Sequence, residues 1–352
     1  MLITTFGPPS GYTQCALYLM RLLTDELLRD VDYLVAGELA QLREAWSARR
    51  QPHVFFFADC PERALVDVFL KLQAPSVIFL EDANDVTGYI VRERGMAWPW
   101  ALRLTHQCLV SIGDLIANEN ALVLRREYEL TLREFFRAIA LQFQMDASDA
   151  QMQAVLAKGG LAGDFTLDTP LETVLMARWP HARPASRGLD GVEKSDARII
   201  TAVNAPLKAV MAGRAVERLL WPQEMFIAGD QPNEILLNSI EMLGGARCLC
   251  YGPFLHLPVG QWEVGLEMEV RENLSGNRFD IDVFHGEVVA LESFDIPAAG
   301  RFHVRAHFPI HDPREPVQVR IIMREGAIEG VLDVKSAVVR AAPQASVSRA
   351  YG

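Results

Sequence analysis

Cysteine, basic charge and long apolar runs are all in short supply. The five cysteines are an odd number and, apart from Cys248 and Cys250, lie scattered through the expected elements. That pattern offers neither a disulfide framework nor a paired Cys-x-x-Cys metal site, and it fits a reducing cytoplasm. Lys and Arg number 34 against 45 Asp and Glu, a formal net charge of −11. A nucleic-acid binder needs a basic stripe to neutralise phosphates, so the charge balance argues against nucleic acid as a partner. Any anionic ligand must be held locally, by a loop or by single Lys or Arg residues. No run approaches the roughly 18 apolar residues that span a bilayer, and Met1-Leu2-Ile3-Thr4-Thr5-Phe6 has neither a basic n-region nor a long apolar h-region. The expectation is a cytoplasmic chain that does not insert into membranes. Core material, by contrast, is abundant: 50% of the 352 residues are hydrophobic, enough for two domains.

Residues 1–180 alternate strand-like and helical patterns. His53-Val54-Phe55-Phe56-Phe57-Ala58 and Pro75-Ser76-Val77-Ile78-Phe79-Leu80 are continuous apolar runs, and Leu65, Val68, Phe69 and Leu72 recur between them at helical spacing. That is a βαβ unit, hence a parallel α/β sheet with flanking helices. Further helices are predicted over 99–117 and 130–143, and Ser148 with Gln151 reads as a capping box opening a helix that stops at Gly159-Gly160. The turn-rich stretch His181-Ala182-Arg183-Pro184-Ala185-Ser186-Arg187-Gly188 begins a linker and connecting helix over 181–217, the helix itself at about 205–220. From 218 to 341 the period becomes two. Trp262, Val264, Leu266, Met268 and Val270 alternate with Glu263, Gly265, Glu267 and Glu269, and Val304, Ala306 and Phe308 with His303, Arg305 and His307. Half-buried antiparallel strands of this kind predict a β-sandwich of jelly-roll type, followed by a tail at 342–352. The same alternation puts Asp280 and Asp282 on the solvent face.

Four short segments carry the chemistry. In Phe6-Gly7-Pro8-Pro9-Ser10-Gly11-Tyr12-Thr13, an apolar start and a Gly/Ser turn precede an amphipathic run with Leu17, Met20, Leu23 and Leu27. A helix opened this way leaves its first N–H groups free for an anion. Phe57-Ala58-Asp59-Cys60-Pro61 ends a buried strand, where open α/β sheets bind ligands; Asp59 reads there either as a base or as the N-cap of the following helix. Phe79-Leu80-Glu81-Asp82-Ala83-Asn84-Asp85-Val86-Thr87-Gly88-Tyr89 is an acidic turn without a His or Cys companion, which reads as a solvated helix start and predicts no metal. The fourth is Lys158-Gly159-Gly160-Leu161-Ala162-Gly163-Asp164-Phe165.

In this order the four segments resemble the sulfotransferases that use 3′-phosphoadenosine 5′-phosphosulfate (PAPS), over roughly residues 1 to 170. The resemblance implies donor contacts from Ser10, Gly11, Tyr12 and Thr13 in the loop, from Tyr89 in place of a family Ser, and from Lys158 and Gly160 in the last segment. It places Asp59 where the family's His base stands. Pro9 replaces a basic loop residue and Glu81 replaces an arginine that binds the donor's 3′-phosphate, so weak or absent PAPS binding is expected: charge-assisted contacts are about twice as strong as neutral ones. Val123-Leu124-Arg125-Arg126-Glu127-Tyr128 resembles a further family segment that is mainly scaffold. More loosely, Tyr251-Gly252-Pro253-Phe254-Leu255-His256-Leu257-Pro258-Val259-Gly260 resembles jelly-roll modules of bacterial glycan-building enzymes, over roughly 218–341. Two functions therefore stand side by side. One is a sulfotransferase-like protein of polysaccharide or glycan modification, divergent or catalytically degenerate; the other is a non-enzymatic glycan-binding or assembly protein using the sandwich, with His303, Arg305 and His307 as glycan contacts.

Overall fold

Apolar runs and turn signals divide the first 214 residues into alternating strands and helices. They are β1 (Leu2–Phe6), α1 (Gly11–Leu27), β2 (Val31–Val35), α2 (Leu39–Ala48), β3 (His53–Ala58), α3 (Arg63–Lys71), β4 (Ser76–Leu80) and α4 (Ala83–Arg94). Next come α5 (Trp98–Ser111), α6 (Gly113–Ile116), β5 (Ala121–Arg125), α7 (Leu132–Gln142), α8 (Asp149–Lys158), α9 (Leu171–Arg178), α10 (Lys194–Asn204) and α11 (Leu207–Met211). This is a computed structural model, and it describes residues 1–179, 182, 189, 192–231, 235–236, 238–274 and 276–342. Most of the turn-rich stretch at 180–191 and the tail from 343 lie outside the described residues. The chain forms two compact units, Met1–Arg214 and Ala215–Gly352.

The first unit is built on a parallel five-stranded sheet in the order β2-β3-β1-β4-β5. β4 is buried along its whole length and β1 and β3 nearly so, which is why their sequences read as unbroken apolar runs. The core on one side joins Leu19 and Leu23 of α1, Phe79 of β4, Phe135 and Ile139 of α7, and Val155 of α8. α8 opens with the expected capping box, in which the Ser148 side chain meets the backbone of Gln151 and the Gln151 side chain returns to that of Ser148. Two expected helices are divided. The 99–117 stretch turns at Ile112, where Gly113 lies so close to Val210 that an added Cβ would approach Val210 Cγ1 to 3.1 Å. Instead of one helix at 205–220 there are α10 and α11, interrupted at Pro206 and ended by Gly213 with φ +64°; proline lacks the N–H a continuous helix needs.

The second unit comprises β6 (Arg218–Pro222), β7 (Ile227–Ala228), β8 (Ile240–Glu241), β9 (Arg247–Leu255), β10 (Gly260–Arg271), β11 (Asn277–His285), β12 (Glu287–Ile296), β13 (Gly300–Ile310), β14 (Val317–Met323) and β15 (Val331–Ala341). They form two antiparallel sheets, β13-β10-β15-β6 with β8 on β15, and β12-β11-β14-β9-β7. Alternation buries Trp262, Val264, Leu266, Met268 and Val270 as expected, and Ala306 and Phe308, while Val304 is only half-buried. Asp280 and Asp282 depart from the expected pattern: both are buried. Asp282 stands directly opposite Arg320 on β14 and accepts both arms of its guanidinium at 2.6 and 2.7 Å, and Asp280 accepts the Ser293 hydroxyl at 2.7 Å from the other neighbouring strand. Cross-strand partners satisfy these carboxylates.

Candidate functional site

The turn after β1 is where the sequence places an anion-binding loop, and its local geometry is that of a helix start. Ser10 is extended (φ −147°, ψ 164°) and its hydroxyl accepts the Thr13 N–H at 3.0 Å, capping α1. What the sequence does not show is that the loop is covered. Every residue from Ile3 to Thr13 is buried. A Cβ added to Gly11 would lie 2.1 Å from the Cβ of Ala182, so Ala182 rests directly on the loop backbone.

Beside the loop stands a buried ion cluster. β4 and β5 run parallel with Leu80 opposite Arg125, so the next residues, Glu81 and Arg126, leave the sheet side by side. Arg126 Nη1 hydrogen-bonds Glu81 Oε1, while its Nε and Nη2 reach Glu172 Oε2 and Oε1 at 2.9 and 2.6 Å. Glu81 is 5% exposed. Burial pushes its carboxyl pKa up, and the Arg126 charge and the Ser10 hydroxyl pull it back. Burial opposes the charge of Arg126 too, but hydrogen bonds to Glu172 and Glu81 outweigh it and raise the guanidinium's pKa. Alongside runs a cleft of about 610 Å³ lined by Leu80, Asp82, Asp85, Glu127, Glu129 and Met211 together with the ion cluster. Asp82 caps α4, accepting the Asn84 N–H at 2.9 Å. Asp85, 9% exposed, is driven to about 7 by burial and by the charge of Glu81. The acidic turn is thus not a solvated helix start: two of its three carboxyls are buried.

The residues proposed for donor binding separate into two groups. Ser10, Gly11, Tyr12 and Thr13 come together, and Tyr89 of α4 joins them through a side-chain hydrogen bond to Gln14. Tyr12 is turned inward, 2% exposed and edge-on to Phe79, with a buried hydroxyl that has no hydrogen-bond partner among the described residues. Lys158 belongs elsewhere. Its Nζ pairs with Glu26 at 2.5 Å, fifteen residues past Gly11 and so about 22 Å along α1 at 1.5 Å per residue. Gly160 has φ +63° and its carbonyl accepts Arg178 Nη2 at 2.7 Å. Asp59 does not cap α3; Glu62 is the N-cap residue, and its carboxylate is used by the N–H of Leu39 at 2.6 Å. Covered by Ala182, with Glu81 at its side and Lys158 distant, the loop does not fit a phosphosulfate donor.

No family model matches this chain, and no curated protein does. Several solved structures are similar to parts of it. A mouse sulfotransferase complexed with PAP is 12% identical over 56% of this chain and 86% of its own, with a TM-score of 0.36. The module TmCBM61, in complex with beta-1,4-galactotriose, is 9% identical over 36% of this chain and 88% of its own, at a TM-score of 0.24. An arabinose-bound α-L-arabinofuranosidase is 13% identical over 29% of this chain, with a TM-score of 0.23. The similar part spans only 19% of the arabinofuranosidase's length. None of these similarities assigns chemistry to a residue here.

In the second unit, His303, Arg305 and His307 are exposed on β13. Each faces a residue of β10: His303 is opposite Glu267, Arg305 opposite Gly265 and His307 opposite Glu263. His307 Nε2 lies 3.1 Å from Glu263 Oε2, and Arg305 Nε donates to His303 Nε2 at 3.3 Å. The His303 ring occupies the space that Gly265 leaves, since a Cβ there would approach Nε2 to 2.9 Å. Next to it, Glu267, Glu269, Arg301, Phe302, His303 and Lys335 border a hollow of about 500 Å³.

Proposed function

We propose that this is a non-enzymatic glycan-binding protein of the cytoplasm, in which the α/β unit serves as a scaffold and the sandwich face at His303, Arg305 and His307 contacts the sugar. What carries the reading is the cover on the donor loop: Ala182 lies on Gly11 and the buried Glu81–Arg126 pair stands beside Ser10, which weighs against a sulfuryl donor at that loop. The sandwich face is open by contrast. It offers two imidazoles and a guanidinium against Glu263 and Glu267, donors and acceptors that suit hydroxyl groups, with flat rings for a sugar's apolar side. The five free cysteines support a reducing compartment.

The full chain applied to a glycan array is expected to retain one class of oligosaccharide. A His303→Ala/Arg305→Ala/His307→Ala variant with an unchanged circular dichroism spectrum is expected to lose at least about tenfold in affinity, the equivalent of a single good polar contact. Retention of no glycan, or equal binding by the variant, contradicts the assignment of this face. Donor binding at micromolar strength would instead favour sulfuryl transfer with Asp59 as base.

A further inference from the structure

The acidic cleft at the carboxyl ends of β4 and β5 has a charge opposite to that of an anion site. Among the described residues, Glu81, Asp82, Asp85, Glu127, Glu129 and Glu172 stand around it, against Arg125 and Arg126. Most of this charge is already committed. Arg126 is shared between Glu81 and Glu172, Arg125 Nη2 is bound to the Met211 carbonyl, and Asp82 caps a helix. Glu127 and Glu129 are exposed to solvent, and among the described residues Asp85 is the buried carboxyl of the cleft that stands outside these bonds. It is nine-tenths buried, it lines the cleft, and its Oδ1 has no hydrogen-bond partner among the described residues. Leaving a buried carboxylate oxygen unmet is unfavourable unless something else meets it.

We infer that this cleft binds an organic cation of the primary-ammonium class, its nitrogen held by Asp85 and its carbon chain lying against Leu80, Pro170 and Met211. An ammonium supplies three donors and a positive charge, which is what an unpaired carboxylate beside Glu81 and Glu172 lacks. The apolar part of the lining gives a hydrocarbon chain a surface that a bare metal ion does not use. No group of three or more His, Cys, Asp or Glu side chains among the described residues is placed to hold a metal ion. The inference is independent of the sandwich face and holds whether or not that face binds glycan.

Charge on Asp85 governs the site. Burial, and then the charges of Glu81 and Asp82 from the end of β4, raise its carboxyl to about 7 against the opposing pull of Arg126 from the end of β5 and Arg92 of α4. An ammonium requires the ionised form. Binding therefore strengthens as pH rises through 7, and near neutrality it expels a proton from Asp85.

The test is calorimetric titration of the full chain with 1,4-diaminobutane at about 0.15 M salt, where diffuse attraction to a net-acidic surface is screened within roughly 8 Å. The expected result is one saturable site with a dissociation constant below about 1 mM at pH 8. Binding should weaken about tenfold at pH 6, where about one Asp85 in ten is ionised. The heat at pH 7 should vary with the buffer's ionisation enthalpy. Asp85→Asn is expected to weaken binding at least about tenfold and to abolish the pH dependence; Glu172→Gln, at the rim, should weaken it while leaving the pH dependence in place. Absence of saturable binding overturns the inference, as does equal binding of 1,4-butanediol or magnesium chloride, or unchanged binding by Asp85→Asn.

Discussion

Replacing Arg126 by alanine is expected to destabilise the first unit by about 3–5 kcal/mol at pH 7, the usual consequence of removing one partner from a buried ion pair. Glu81 would be left 5% exposed with no guanidinium beside it, and Glu172 would lose both of its hydrogen bonds. The cost arises from the stranded charge and not from the net worth of the pair. Accordingly, Glu81→Gln combined with Arg126→Met should recover most of the loss, because burying two neutral groups of similar volume avoids both desolvation penalties. Two compact units need not unfold together. The measurement is therefore urea unfolding followed through amide exchange in β1 and β4, which reports on the first unit alone. A loss below about 1 kcal/mol would mean that solvent, and not Arg126, satisfies Glu81.

Asp85→Asn is expected to act in the opposite direction. Its carboxyl is raised to about 7 in the folded chain against about 3.9 in an unfolded one. A carboxyl raised in this way favours folding while it is protonated. Its contribution is complete below about pH 4, declines as pH rises, and is gone above about pH 7. Asparagine does not ionise, so the variant's advantage should grow between those limits and level off. At pH 8 we expect about 2 kcal/mol, less than the roughly 4 kcal/mol that the full shift represents, because the amide brings its own polar atoms to satisfy. Urea unfolding at pH 5 and pH 8 checks both sign and window; a variant less stable than the parent at pH 8 would show that the ionised carboxylate is paired. A residue that weakens its own fold in this way is characteristic of a site kept for a ligand.

Much of the architecture was legible because it depends on local pattern. The 53–58 and 76–80 runs announce strands buried on both faces, Ser148 and Gln151 announce their capping box, and Trp262 to Val270 announce a sheet with one inner face. The site was less legible because its decisive contacts join residues far apart in sequence. Glu81 looks like a solvated turn residue until β5 is set beside β4 in register and delivers Arg126, which the family resemblance marks only as scaffold. A signal did exist: a carboxylate leaving a fully apolar strand must find a cation, and the adjacent pair Arg125-Arg126 closes the short apolar run Ala121-Leu122-Val123-Leu124. Ala182 gives no comparable signal, since nothing in an alanine marks it as the cover of Gly11. Lys158 was misplaced for a related reason. Order along the chain suggested the loop, but α8 packs along α1 and brings the ammonium to Glu26. Asp280 and Asp282 show that strand alternation predicts direction and not exposure; their partners on the neighbouring strands were not visible in a single run.

The central claim is that the loop at Ser10–Thr13, although shaped as a helix start, is closed to a nucleotide donor. Titration of the full chain with PAP, the nucleotide that remains when PAPS has given up its sulfuryl group, tests it most directly. The account predicts no saturable heat up to millimolar concentration, a free energy no better than about −4 kcal/mol. Saturable binding at or below the micromolar level, about −8 kcal/mol, would contradict it and would mean that Ala182 leaves Gly11 and that cations other than Lys158 reach the loop.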